Sequence, residues 1–387
     1  MRKMKLAMLI VFCVMLFGGT VVSFVLPDRE FSDVENRELA KKPKITAKRI
    51  LSGEYQKEYD TYLSDQFFFR DKWVDLAVRE QIALGKKDFN GVYLGKNNYL
   101  LEKYEKADFD SGQIKENETY LTTFLNETEK RYGRKHVRAM FVPSKTTALT
   151  NVLPAYADTI DWQSMIRDLQ TKVDEPNLIY DLTKTMQSHN EEYIYYRTDH
   201  HWTTLGAYYA YTEFCKAKGI TPESLDAYSK KQDFDGFLGS FYNDTSDAKL
   251  KANPDTVTAY YPNAESICHV TASDGKKYDW PVIYDVSNYN AGLKYSTFIA
   301  SDNPYTEIEN KDLSDGSSCI VVKESFGNAF IPFLVDHYQT VYVVDYRYWT
   351  GSISKLAQDK NVNDVLFLNN LSMIRNKSLV GKLYRVL

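Results

Sequence analysis

The sequence predicts an α/β fold, a mostly parallel sheet with helices on both faces, preceded by one N-terminal transmembrane helix. Three observations carry this reading. Short runs rich in β-branched and aromatic residues recur at 137–142, 177–182, 319–323, 340–345 and 364–369. Between them lie stretches with helical spacing or helix boundary signals, and strands alternating with helices build a sheet covered on both faces. Residues 6–26 form an uncharged run of about the ~20 residues that span a bilayer as a helix.

Taken in order, Arg2, Lys3 and Lys5 precede the apolar run. Basic residues stay on the cytoplasmic side, so residues 1–5 read as a cytoplasmic tail, 6–26 as a single-pass anchor, and everything beyond Pro27 as extracytoplasmic. A cleaved signal peptide is the rival, but the run exceeds the ~7–15 residues of a typical signal core and no A-x-A site closes it. Residues 27–53 are charged and aperiodic, as a linker should be. Residues 54–387 then form one large domain.

Within that domain, 54–84 carries apolar residues at helical spacing (Tyr55, Tyr59, Tyr62, Leu63, then Trp73, Leu76, Ile82). Short strands follow at 91–94 and 99–101, a polar helix at 112–132, and a buried strand at 137–142 that ends at Pro143. A helix at 161–173 and strands at 177–182 and 193–196 come next. The 203–218 segment opens on Thr203 as an N-cap and stops before Gly219. Residues 221–317 read as an irregular insertion with short extended pieces. Alternation resumes with strand 319–323, helix 326–335, strand 340–345, helix 353–359 and strand 364–369.

A net charge of −4 argues against a nucleic-acid partner, which calls for a basic stripe. The chain holds 30 Tyr, 20 Phe and 5 Trp; many of these read as core, and Tyr faces also suit a cleft that stacks on sugar rings. Four cysteines stand without metal-ligand spacing, and Cys215, Cys268 and Cys319 read as small buried residues.

Two points carry chemistry. Thr198-Asp199-His200-His201-Trp202-Thr203 lies between a strand and a helix start, where functional residues collect in open α/β sheets. Lys323-Glu324-Ser325-Phe326-Gly327 directly follows a buried strand and opens a helix, a turn that lifts a serine out of the sheet and offers its own N–H to an oxyanion. A serine hydroxyl needs a base, usually a histidine oriented by a carboxylate. Asp199 and His201 sit two residues apart and can converge on Ser325. The alternative for each is a plain helix cap in a surface loop.

The string TDHHWTTLGAYYAY resembles the motif of the DHHW family of bacterial proteins. ESFGNAFIPFLVDHY with VVDYRYW resembles that family's second block, which usually has Asp where this chain has Glu324. DQFFFRDKW and GVYLGKNNYLLE resemble the opening of the same family and of the related alginate O-acetylation proteins. The resemblance implies an SGNH-hydrolase-like three-layer sandwich, permuted so that D-x-H precedes the serine. It implies Asp199 as orienting acid, His201 as base and Ser325 as nucleophile. His200, the unmatched middle residue, is left as a substrate or structural contact.

The implied activity is extracytoplasmic O-acetyl transfer to a surface polysaccharide or cell-wall glycan, with ester hydrolysis by the same triad as the alternative. No cofactor is implied. The acetyl donor would be a multi-spanning membrane O-acyltransferase, since one anchor cannot carry acetyl groups across. Trp202 could stack on the acceptor. Asn303 in FIASDNP could donate to an oxyanion or simply form an Asx turn. Lys145 after a strand could face the cleft or be a solvated loop lysine, and Arg347 could bind substrate or pair with Asp345. Two further readings are a non-catalytic glycan-binding protein, which the intact Asp199/His201/Ser325 set counts against, and a metal-dependent phosphoesterase, which needs acidic clusters beyond Asp-His-His. Asp108/Asp110 and Asp233/Asp235 are available, but no buried strand precedes either pair.

Overall fold

The computed structural model describes residues 2–32, 37–105, 109–245 and 248–387. The chain divides into two compact units, Met1–Lys86 with Tyr242–Ala252, and Lys87–Phe241 with Asn253–Leu387.

In the first unit the apolar N-terminal run is helical but broken. An α-helix, Arg2–Cys13, passes through a π-helical turn, Val14–Gly18, into a second α-helix, Gly19–Val25. Among the described residues no helix is long and apolar enough to cross a membrane. The run expected to span as one transmembrane helix is instead divided into three consecutive helical segments, with the α-helical ladder interrupted at the π turn.

The expected linker is also tied down. Arg29 N–H donates to Gln66 Oε1 at 2.9 Å, Tyr62 O–H to Asp28 at 2.9 Å and Ala40 N–H to Asp65 at 2.8 Å. These bonds join Asp28, Arg29 and Ala40 to the helix Glu54–Asp65 and its C-cap, within the unit that runs to Lys86.

The second unit is built on an eight-stranded mixed sheet. Its order is Lys277–Trp280, Ser266–Thr271, Tyr305–Asn310, Thr340–Asp345, Ser318–Lys323, Asp364–Asn370, Val137–Val142, Ile179–Asp181. The last five run parallel, and the first three add antiparallel at one edge. Those three come from the stretch expected to be irregular. Their half-exposed alternation, as in Ser266–Thr271, lacks the continuous apolar run that marks a strand buried on both faces.

Successive residues feed two cores. Met140, Val321, Val343 and Leu366 face one, which includes Phe214 and Phe330. Phe141, Ile320, Tyr342 and Phe367 face the other, with Phe124, Ile166 and Leu383. The period of two along each strand thus produces a three-layer α/β/α sandwich. Cys215, Cys268 and Cys319 are buried and free.

Two expected elements differ near the site. The strand at 193–196 is a single bridge, Tyr195 to Trp202. The helix at 326–335 is one α-turn, Gly327–Phe330, continued as 3-10 over Ile331–His337. Pro332 removes the N–H that would have bonded back to Asn328.

Candidate active site

Ser325 leaves the end of Ser318–Lys323, a strand with all six residues buried. Gly327 lets the turn fold back over it, because a Cβ there would come within 2.7 Å of Lys323 Cβ. The Asp-His-His corner precedes the helix Thr204–Lys218, which Thr203 caps through Gly206 N–H and which Gly219 ends at φ 70°.

The two corners meet in one hydrogen-bonded row. Asp199 Oδ1 lies 2.6 Å from His201 Nδ1, and His201 Nε2 lies 2.7 Å from Ser325 Oγ. Asp199, His201 and Ser325 are only 4%, 7% and 8% exposed, yet Ser325 opens on a cleft of about 430 Å³. Asp199 also accepts His201 N–H at 2.9 Å and Ser240 N–H at 2.8 Å. Burial works to raise the Asp199 carboxyl. The charges of His200 and His201 and the bonds from His201 outweigh it and hold the carboxyl well below the ordinary range. An ionised carboxylate only accepts, so Nδ1 carries the ring hydrogen and Nε2 is left to take the serine's. The backbone at Gly239 presses on this carboxylate, since a Cβ there would lie 2.1 Å from Asp199 Cβ.

Around this row stand residues that sequence reasoning did not single out. The Tyr295 ring stacks on His201 with centroids 4.1 Å apart, and its hydroxyl donates to Ser325 O at 3.1 Å. Asp255 accepts from Arg197 N, Arg197 Nε, Thr198 N and Thr198 Oγ1 at 2.5–3.1 Å, fixing the chain directly before Asp199. Glu324, noted only as a departure from the family pattern, touches Ser325 Oγ at 3.2 Å. Tyr295 and Asp255 lie in the stretch read as irregular, far along the chain from the motif, and no local signal marks them.

The remaining expected residues fall out as follows. His200 lines the cleft, with Nδ1 at 2.8 Å from Ser240 Oγ. Arg347 also lines it but is held by Asp345 at 2.6 Å and Asp302 at 2.9 Å. Trp202 cannot stack on a bound ring, because it is fully buried. Its Nε1–H donates to Phe326 O at 3.0 Å, stitching the histidine corner to the serine corner. Lys145 is neither solvated nor free. Its ammonium donates to the carbonyls of Leu100, Tyr196 and Asp199 at 2.5–2.7 Å, and burial pushes its pKa down to about 8. Asn303 spends its side-chain N–H on Ala300 O at 2.7 Å, closing a turn in which Ile299, Ala300 and Ser301 all have positive φ.

Asp199, His200 and His201 each offer a ligand atom within 4.8 Å of the others, the spacing a metal ion would need. Both ring nitrogens of His201 are nevertheless committed, to Asp199 and Ser325. Asp233 and Asp235 bind Thr258 and Thr256 across a hairpin, and Asp110 caps a helix. Asp108 lies outside the described residues.

None of the curated proteins matches the chain. Among solved structures, a DHHW family protein from Eubacterium siraeum is 27% identical, covering 76% of this chain and 96% of its own, with a TM-score of 0.64. Bacillus cereus PatB1 shares the fold at 24% identity, over 72% of this chain and 95% of that chain, with a TM-score of 0.58. Its structure with a sulfonyl adduct aligns at 21% identity over 76% and 99%, with a TM-score of 0.60. The profile of the DHHW protein family matches residues 133–344, more than half of the chain and the whole of the Asp199–Ser325 site, so the chain belongs to the DHHW family.

Proposed function

We propose that the chain is an O-acetyltransferase that acylates hydroxyl groups of a cell-surface polysaccharide or cell-wall glycan through an acyl-serine. The single observation that carries this is the Asp199–His201–Ser325 row opening on a cleft. As Ser325 Oγ attacks the acyl carbonyl carbon, its hydrogen passes to His201 Nε2 and the carbonyl electrons move to oxygen. Collapse expels the donor's leaving group, which takes that proton, and Oγ stays acylated. An acceptor hydroxyl then repeats the sequence, giving its proton to Nε2 and freeing Ser325. Asp199 holds the imidazole in the needed tautomer and stabilises the imidazolium. A transferase must favour a sugar hydroxyl over water by positioning it, worth up to ~7–11 kcal/mol.

The proposal includes an outer location, with the donor a multi-spanning membrane acyltransferase. Its support is the basic residues before the apolar run and the exposed side chains Leu6, Met8, Leu9, Phe12, Phe17 and Val21 along it. Protease added to intact protoplasts should digest the chain, and full protection contradicts this placement.

The test of function supplies purified protein with an activated acetyl ester and a panel of surface-glycan oligomers. Wild type should yield oligomers heavier by one acetyl, and Ser325→Ala should yield none. Oligomers that are only deacetylated would replace transfer with the esterase reading. Equal activity in Ser325→Ala would remove the acyl-serine altogether.

A further inference from the structure

Ser325 Oγ has one hydrogen and two neighbours placed to receive it. His201 Nε2 is 2.7 Å away, and Glu324 Oε2 is 3.2 Å away. The same Oε2 lies 3.2 Å from Phe326 N, while Oε1 accepts Asn370 N–H at 3.0 Å. The carboxyl is buried and clamped by backbone from two strand ends, with one oxygen against the nucleophile. As a carboxylate it would oppose the reaction in three ways. It would compete with His201 for the serine hydrogen, occupy the amide N–H next to the nucleophile, and set a negative charge beside the forming oxyanion. A neutral carboxyl reverses each effect, because its own O–H becomes a donor.

We propose, resting on the acyl-serine reading above, that Glu324 works as a neutral acid whose hydrogen is donated to the reacting oxygens at Ser325, and that its ionisation switches the serine off. No bond to Glu324 hydrogen breaks in the cycle; the serine proton alone moves, to His201 and back. The surroundings favour the neutral form. Burial pushes the carboxyl up, against Arg347, the Asn370 N–H, His201 and the Phe326 N–H. Arg347, the fixed cation that acts on it, is already balanced, because it and Lys323 share Asp345 and Asp302 in a closed group of two cations and two carboxylates. Tyr295 and Tyr346 complete the surroundings as neutral groups, their hydroxyls given to Ser325 O and Asn369 Oδ1.

The experiment uses the purified full-length chain and two readouts. Infrared difference spectra between wild type and Glu324→Gln should contain a protonated-carboxyl band at neutral pH that titrates away as pH rises. The rate at which phenylmethylsulfonyl fluoride labels Ser325, followed by intact mass, should rise and then fall with pH in wild type. The fall should track the loss of the band, about tenfold per pH unit beyond its midpoint. Glu324→Gln should keep its alkaline rate. Absence of the band at neutral pH in glutamate-labelled wild type overturns the inference without needing the variant. An alkaline fall that survives in Glu324→Gln also overturns it, while leaving the nucleophile intact. A Ser325 that is never labelled at any pH contradicts the acyl-serine reading, and this inference with it.

Discussion

Asp199 and Glu324 end the same hydrogen-bonded row, one on His201 and the other on Ser325, and both are buried. Burial pushes each toward its neutral form, yet the outcomes are opposite. Asp199 faces two histidines and takes N–H bonds from His201 and Ser240, so it is held well below the ordinary carboxylate range. Glu324 faces an arginine already spent on two other carboxylates, so burial wins and its pKa is raised. What decides the protonation of a buried carboxyl here is whether its neighbours' charge is still uncommitted. Paired carboxyls pushed apart in this way divide the roles of acceptor and donor between them.

The comparison breaks most visibly at its low-pKa end. Asp199→Asn keeps the shape but offers His201 a donor as readily as an acceptor, so the imidazole loses its fixed tautomer. Turnover of an activated acetyl ester should fall by about 10⁴-fold with little change in melting temperature. A loss of under tenfold would mean that Asp199 does not orient His201.

Second in size is the scaffold beneath that end. Asp255→Ala leaves Arg197 Nε and the buried Thr198 N–H without their acceptor, and a buried donor left unpaired costs about 1–3 kcal/mol. Urea unfolding should register that loss. A change below ~1 kcal/mol would show that the Thr198–Asp199 backbone is held by other contacts.

The third effect separates the two carboxyls by pH. Asp199 has a depressed pKa in the fold, so its contribution is present above the ordinary value of 3.8 and is lost as pH falls through the folded one. Glu324 has a raised pKa, so its contribution is present below 4.5 and is lost as pH rises through the folded one. Stability should therefore decline as pH falls below 3.8 through Asp199 and as pH rises above 4.5 through Glu324. Glu324→Gln should flatten only the decline on the rising-pH side. A flat wild-type curve over that range would contradict the assignment.

Much of this was legible in the chain. The parallel strands announce themselves as apolar runs such as 319–322, and the Thr203 cap and Gly219 stop bound one helix by local chemistry alone. The Asp199/His201 and Ser325 blocks were found as strand-to-helix turns. What stayed hidden depends on contacts between distant residues. Tyr295 and Asp255 lie 94 and 56 residues from the parts of the motif they support, His201 and Asp199. Trp202 was legible as an aromatic beside the base, but which face it turned inward was not. Lys145 looked like a loop lysine because its three carbonyl partners come from two segments distant in sequence, Leu100 and the Tyr196–Asp199 loop. The antiparallel edge was missed because strands exposed on one face carry only every second apolar residue.

The central claim is that acyl groups pass through Ser325, and acid quenching tests it most directly. Full-length protein mixed with an activated acetyl ester, quenched in acid during turnover and digested, should carry one acetyl group on the peptide containing Ser325. The label should disappear when acceptor oligomer is added before the quench. Steady turnover with no acetyl on Ser325, or with the acetyl on a different residue, would contradict the account.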